Sequence, residues 1–87
     1  MKLKQGYQMK QVGERFFLFS DNKDEGMFVL NETTKIILEN LHKGKTREEI
    51  LRILMDDFNE DNSIIEKDFF DILKEMIDAG IIIDEND

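Results

Sequence analysis

The sequence contains no cysteine and only one histidine among its 87 residues. The lack of cysteine excludes disulfides, thiolate metal sites and a cysteine nucleophile. No apolar run approaches the roughly 20 residues that span a bilayer, and the N-terminal stretch MKLKQGYQMKQ lacks the apolar segment of a secretion signal. We therefore expect a cytoplasmic protein without a membrane partner.

Recognisable catalytic motifs are also missing. The sequence shows no glycine-rich phosphate loop, no Ser-His-Asp set and no cluster of metal ligands. The single histidine, His42, falls at a predicted helix end, where a cation is favoured. We expect a protein that is not an enzyme, with no catalytic residue, no metal and no cofactor.

The length and the charge of the chain further limit the class of protein that it can belong to. A chain of 87 residues forms one domain, residues 1–87, with a small core and no roomy catalytic cavity. Residues 1–20 carry four basic side chains and one acidic side chain, whereas residues 46–87 carry four basic and fourteen acidic side chains. Because nucleic acid is bound largely through its phosphates, the net charge of −8 argues against a nucleic-acid partner.

The first thirty residues are typical of β-strands. Residues 2–12 (KLKQGYQMKQV) and 14–20 (ERFFLFS) are closer to a period of two than to a helical period, and Gly13 provides a turn between them. A polar connection, residues 21–26, leads to the apolar stretch MFVL at residues 27–30. The pattern predicts a three-stranded antiparallel meander.

Helical spacing begins at Asn31, which can cap a helix that we expect to end at Gly44. Thr46 and Glu49 form a capping box that opens a second helix, extending to Phe58. A third helix is predicted over residues 63–80 and is followed by a short extended tail, IIID. The expected fold is α+β, with the order β-β-β-α-α-α.

The third helix carries two apolar rows. At 100° per residue, the first row faces one direction and the second lies roughly 100° away. The first consists of Ile65, Phe69, Ile72 and Met76, and the second of Phe70, Leu73 and Ile77. Two interpretations stay open: one wide stripe in a small core, or a second row that lines a groove for a molecule outside the chain.

The acidic stretch that starts at Asp57 resembles a calcium-binding EF-hand loop. Its ligand-like positions are Asp57, Asn59, Asp61, Ser63 and Asp68. Asn62 replaces the turn glycine of that motif, Asp68 replaces its bidentate glutamate, and the next helix begins early. We expect a helix-capping turn here, and weak calcium binding by residues 57–68 is left open.

Two longer stretches, VLNETTKIILENLHKGKTREEILRILMDDFN and IEKDFFDILKEMIDAGII, resemble the PqqD-like family, known also as RiPP recognition elements. The resemblance covers a strand ending in Leu-Asn, a helix closing at Gly, a Thr-capped helix and a last helix ending at Gly. The matching positions are Leu30, Asn31, Gly44, Thr46, Ile50, Asp68, Phe69, Leu73, Met76 and Gly80. Phe69 and Met76 stand where many members carry a smaller aliphatic residue and leucine, respectively.

The resemblance implies a small winged-helix-like domain that binds the leader segment of a ribosomally made precursor peptide. The leader would add as an antiparallel strand to residues 26–30 and lie in a groove with helix 63–80. Residues 27–30 would otherwise be an ordinary core strand with a protected edge. The implied peptide-binding residues are Met27, Phe28, Val29, Leu30, Phe70, Leu73, Lys74 and Ile77. Of these, Lys74 could meet a leader carboxylate or simply be solvated.

The resemblance also implies a tailoring enzyme as partner, either a radical S-adenosylmethionine enzyme or the leader peptidase of a lasso-peptide system. We expect a monomer. The alternative is a winged-helix DNA-binding transcriptional regulator, which needs a basic recognition helix. Residues 63–80 instead carry two lysines against five acidic side chains. A domain with no ligand is the third possibility.

Overall fold

A computed structural model describes residues 1–21 and 26–84 of the chain. Its elements are β1 (Lys2–Leu3), β2 (Tyr7–Val12), β3 (Arg15–Ser20), β4 (Met27–Leu30), α1 (Glu32–His42), α2 (Arg47–Asp57), α3 (Asn62–Asp78) and β5 (Ile82–Ile83). The predicted α+β fold, a three-stranded antiparallel sheet followed by three helices, is confirmed. Residues 22–25 of the predicted polar connection lie outside the described residues.

The main sheet has the strand order β2-β3-β4, and both pairings are antiparallel. Gly13, at the turn between β2 and β3, has a φ of +63°, which a residue without a Cβ adopts at little cost. Side chains alternate between the two faces of the sheet. One face carries Leu18 and Leu30 into the core and is covered by the helices, and we call the other the outer face.

The prediction of one strand over residues 2–12 is wrong in one respect, because the structure divides this stretch into β1 and β2. Gly6 lies between them with a φ of +93°, a conformation that ends an extended strand. β1 then pairs with β5 in a separate two-stranded antiparallel sheet, with Leu3 opposite Ile82. The expected extended tail is therefore present, and it ties the two ends of the described chain together.

The predicted caps of the first two helices are confirmed. The Asn31 side chain accepts a hydrogen bond of 2.8 Å from the backbone N–H of Thr34, at the start of α1. Thr46 and Glu49 exchange hydrogen bonds of 2.9 and 3.2 Å at the start of α2. Both caps satisfy backbone donors that would otherwise lack partners.

The core forms where the helices meet the covered face of the main sheet and β5. α1 also contacts the sheet through Lys35, whose Nζ lies 4.4 Å from the centre of the Phe16 ring. The fully buried large side chains are Leu18, Ile37, Leu38, Ile50, Leu54, Phe69, Ile81 and Ile82. Within the described ranges, no helix is long and apolar enough to cross a membrane.

Candidate functional site

β4 forms one edge of the main sheet, since it pairs with β3 on one side only. In an antiparallel pair, alternate residues of an edge strand point their backbone N–H and C=O groups away from the partner strand. Met27, Phe28 and Val29 are exposed, and Leu30 is buried. Within the described sheet, β4 therefore offers both a free backbone edge and apolar side chains to an added strand.

The opposite edge of the sheet is protected by polar side chains. β2 alternates its apolar residues with Gln8, Lys10 and Gln11, and Gln8 donates a hydrogen bond of 3.1 Å to the Asp21 carboxylate. Charged and polar residues on an edge strand discourage pairing with another chain. β4 has no polar side chain at all. Of the two edges, β4 is the one suited to accept a further strand.

β4 is held firmly at its C-terminal end. Leu30 packs in the core, and the next residue, Asn31, is already the cap of α1. The strand thus passes into the helix without an intervening loop. This arrangement fixes the direction of β4 relative to the helices before any ligand arrives.

The two apolar rows predicted on α3 are not separate in the structure. Phe69 is fully buried and its neighbour Phe70 is 43% exposed, with ring centres 5.3 Å apart in an edge-to-face contact. Leu73, which the sequence places in the same row as Phe70, is buried in the core. Ile77 is half-buried and packs against the core cluster. The apolar arc of α3 is therefore continuous, and its open margin is formed by Phe70 and Ile77.

A shallow depression of about 230 Å³ lies along this margin. It is lined by Arg47, Phe70, Leu73, Lys74, Ile77, Asp78 and Asp84. The structure thus brings together the four α3 residues predicted from the sequence. Sequence reasoning missed Arg47, the first residue of α2, and Asp84, the residue after β5, because nothing in their spacing connects them to α3.

Charge in the depression is mixed. Arg47 and Asp84 form an ion pair of 3.8 Å, whereas Lys74 is exposed and has no ion-pair partner among the residues that the structure describes. Farther along α3, Lys67 donates a hydrogen bond of 2.9 Å to Asp71, which raises the pKa of this lysine. The helix that would read DNA in the rival hypothesis therefore uses one of its two lysines to pair with its own carboxylate.

The position of β4 relative to α3 bears on the predicted groove. Of the helices, α1 packs most closely against β4, and α3 packs mainly against α2 and β5. No strand lies on the free edge of β4 in the described sheet. The placement of a peptide between β4 and α3 stays a prediction.

The EF-hand-like stretch contains a helix cap. The Asp61 carboxylate accepts hydrogen bonds of 3.0 Å from both the backbone N–H and the hydroxyl of Ser63, and the backbone bond lowers the pKa of Asp61. α3 begins at Asn62, as early as the sequence indicated. One of the two Asp61 carboxylate oxygens, Oδ1, is thus already bound to the start of the helix.

Comparisons with known proteins agree with this architecture. The sequence model of the family described as coenzyme PQQ synthesis protein D (PqqD) matches residues 17–82. No curated protein sequence matches the chain. Two solved structures share the fold over nearly the whole length of both chains.

The first of these structures is TbiB1 in complex with the TbiA(beta) leader peptide, at 21% identity and a TM-score of 0.84, with complete coverage of both chains. The second is lasso peptide synthetase B1 complexed with its leader peptide, at 17% identity and a TM-score of 0.79, with 94% of this chain and 95% of the other covered. The family match runs from within β3 to the first residue of β5 and includes β4 and all three helices. The chain belongs to the PqqD family.

Proposed function

We propose that this protein binds the leader segment of a ribosomally synthesised precursor peptide by strand addition to β4. The observation that carries the proposal is the contrast between the two sheet edges among the described residues, since β4 has only apolar side chains whereas half of the β2 side chains are polar or charged. Two structures of the same fold are complexes with leader peptides, which supports the same class of ligand for this chain. Affinity would come from a backbone ladder, and specificity from side-chain contacts on either side of it.

Side-chain alternation divides the contacts of an added strand into two sets. Phe28 points to the covered face of the sheet, next to Leu18, whereas Met27 and Val29 point to the outer face. Leader side chains on the covered side would pack against Phe28 and reach the open margin of α3 at Phe70 and Ile77. An apolar leader residue in this place would cover surface that the free protein exposes.

Lys74 supplies a charge at the same margin. It is exposed and unpaired among the described residues, so a leader carboxylate could bind it without first displacing another anion. Exposed ion pairs contribute little affinity but favour one register over another. Lys74 would thus help to set the position of the leader rather than the strength of binding.

The protein would act without catalysis, presenting its peptide to a separate tailoring enzyme. We propose that this enzyme is either a radical S-adenosylmethionine enzyme or a leader peptidase, and that the recognition protein itself is monomeric. No group of three side chains able to hold a metal ion occurs in the described ranges. In this proposal the chemistry belongs to the partner enzyme.

The test uses synthetic peptides that cover the leader of a candidate precursor, sought among the reading frames that neighbour the gene for this chain. Each residue of the leader is N-methylated in turn, which removes one backbone donor, and binding is measured by isothermal titration calorimetry. Strand addition predicts that binding is lost at alternate residues over a stretch of about four, with the neighbouring positions as matched controls. Loss at consecutive positions, or at none, would contradict strand addition. Tight binding of duplex DNA at physiological salt would favour the regulator instead.

A further inference from the structure

α3 carries two lysine–aspartate pairs with the same spacing and the same order. Lys67 and Asp71 form the first pair and Lys74 and Asp78 the second, so that each lysine stands four residues before its aspartate. The first pair is closed, with the Nζ of Lys67 at 2.9 Å from the carboxylate of Asp71. The second pair is open, because neither member has an ion-pair partner among the residues that the structure describes. One helix thus contains both a closed pair and an open pair of the same design.

The open pair lies at the shallow depression beside the margin of α3, and the closed pair lies nearer the start of the helix. Lys74 and Asp78 are exposed, and a spacing of four residues places them about 40° apart around the helix, in one stripe. The other two charged residues that line the depression, Arg47 and Asp84, bind each other at 3.8 Å. Within the described ranges, Lys74 and Asp78 are therefore the charges of this site that lack partners.

A peptide that covers the margin removes water from both members of the open pair. A charge that loses water without gaining a partner costs free energy, and a charge that meets a like charge costs more. An apolar residue of the peptide opposite either side chain would therefore be disfavoured. A carboxylate opposite Lys74 and a cation opposite Asp78 would replace the lost water.

The distance between the two side chains sets the spacing of those peptide charges. A helix rises 1.5 Å per residue, so Lys74 and Asp78 are about 6 Å apart along the axis of α3. A strand advances about 3.3 Å per residue, and side chains on one of its faces are two residues, or about 6.6 Å, apart. Four residues of helix thus match two residues of a strand that lies along it.

Resting on the proposed function, we propose that Lys74 and Asp78 together determine which leader is bound and in which register. The leader carries one acidic and one basic residue two positions apart, on the side of the added strand that faces α3. The acidic residue binds Lys74 and the basic residue binds Asp78. A shift of the leader by one residue turns both charges to the outer face, and a shift by two residues brings one of them beside a like charge.

The test exchanges the charges of each pair in the full chain. Lys74→Asp combined with Asp78→Lys reverses the open pair, and Lys67→Asp combined with Asp71→Lys reverses the closed pair as a matched control. Both double variants keep the net charge of −8. Both also place the acidic residue before the basic one, which is the more favourable order in a helix, so neither should lower Tm.

Binding is measured by isothermal titration calorimetry with a synthetic peptide that covers the leader of a candidate precursor from the neighbouring reading frames. We expect exchange of the open pair to weaken binding by about fivefold or more at low salt, and by less at high salt, whereas the control stays within about twofold. A second peptide has its own acidic and basic residues exchanged. It should bind the protein with the exchanged open pair more tightly than the unmodified protein, which a purely structural role of Lys74 and Asp78 would not produce.

Four results would overturn the inference while leaving leader binding in place. They are equal affinities of the unmodified protein and the open-pair variant, an equal loss in the closed-pair control, no reversed preference with the second peptide, and a bound leader without opposite charges two residues apart. If no leader peptide from the neighbouring reading frames binds the unmodified protein, the proposed function itself fails.

Discussion

Phe69 and Phe70 are adjacent phenylalanines that lie in different environments in the structure. Phe69 is fully buried, whereas Phe70 is 43% exposed at the open margin of α3 and touches Phe69 edge-to-face. Truncation of each to alanine therefore separates folding from binding in the same turn of the same helix. We predict that Phe69→Ala mainly affects the free energy of unfolding and that Phe70→Ala mainly affects leader binding.

The magnitudes follow from burial. Removing a fully buried phenylalanine side chain costs about 3 to 5 kcal/mol, a large part of the roughly 5 to 15 kcal/mol that keeps a domain folded. Phe70 buries little more than half of its side chain, and its ring contact with Phe69 is worth about 0.5 to 1.5 kcal/mol. We expect Phe70→Ala to cost about 1 to 2 kcal/mol, which lowers Tm by roughly 4 to 16 °C in a domain of this size. Phe69→Ala should lower the free energy of unfolding by about 3 to 5 kcal/mol, clearly more than Phe70→Ala.

The assay is urea denaturation followed by far-ultraviolet circular dichroism, with a leader titration of each folded variant. Leader affinity of Phe70→Ala should fall by about tenfold, since an exposed aromatic at the edge of a binding surface contributes about 1.4 kcal/mol when a ligand covers it. If Phe70→Ala unfolds as completely as Phe69→Ala, Phe70 belongs to the core. If it folds and binds the leader unchanged, the margin of α3 is not part of the site.

Three further predictions concern the caps and the charge at the margin. Asn31→Ala should destabilise the protein by about 1 kcal/mol, measured by urea denaturation, because the hydrogen bond to the Thr34 N–H is lost; no change would mean that water replaces this cap fully. The backbone hydrogen bond from Thr46 lowers the pKa of Glu49 below its ordinary value of 4.5. The ionised Glu49 therefore stabilises the fold fully above pH 4.5, and this stabilisation is lost as the pH falls through the pKa of Glu49 in the folded state. Tm should therefore fall less steeply below about pH 4.5 in Glu49→Gln than in the unmodified protein, and identical slopes would contradict this. Lys74→Ala should leave Tm unchanged and make leader affinity less dependent on salt, whereas an unaltered salt dependence would exclude an ion pair with the leader.

Much of the fold could be predicted from local chemistry. The caps at Asn31 and Thr46 depend on side chains three residues from the groups they bind, so the sequence itself specifies them. The order of strands and helices followed from the change of apolar period at the same point. The division of residues 2–12 by Gly6 was missed because β1 is fixed by its pairing with β5, some eighty residues away in sequence.

The residues of the candidate site could be predicted only in part from the sequence, for a related reason. Periodicity placed Leu73 with Phe70, but a helix packed in a small core buries a wide arc, and Leu73 lies well inside it. Arg47 and Asp84 join the depression only through the packing of α2 and β5 beside α3. The outer face, in contrast, follows from strand alternation once the register of β2, β3 and β4 is known.

Amide hydrogen exchange of the labelled protein, with and without its leader peptide, tests strand addition to β4 most directly. The account predicts slower exchange at alternate residues of Met27–Leu30, where the N–H groups point away from β3, and little change in α2 at Arg47–Asp57. Protection spread evenly over all three helices, or confined to α3 with β4 unchanged, would contradict it.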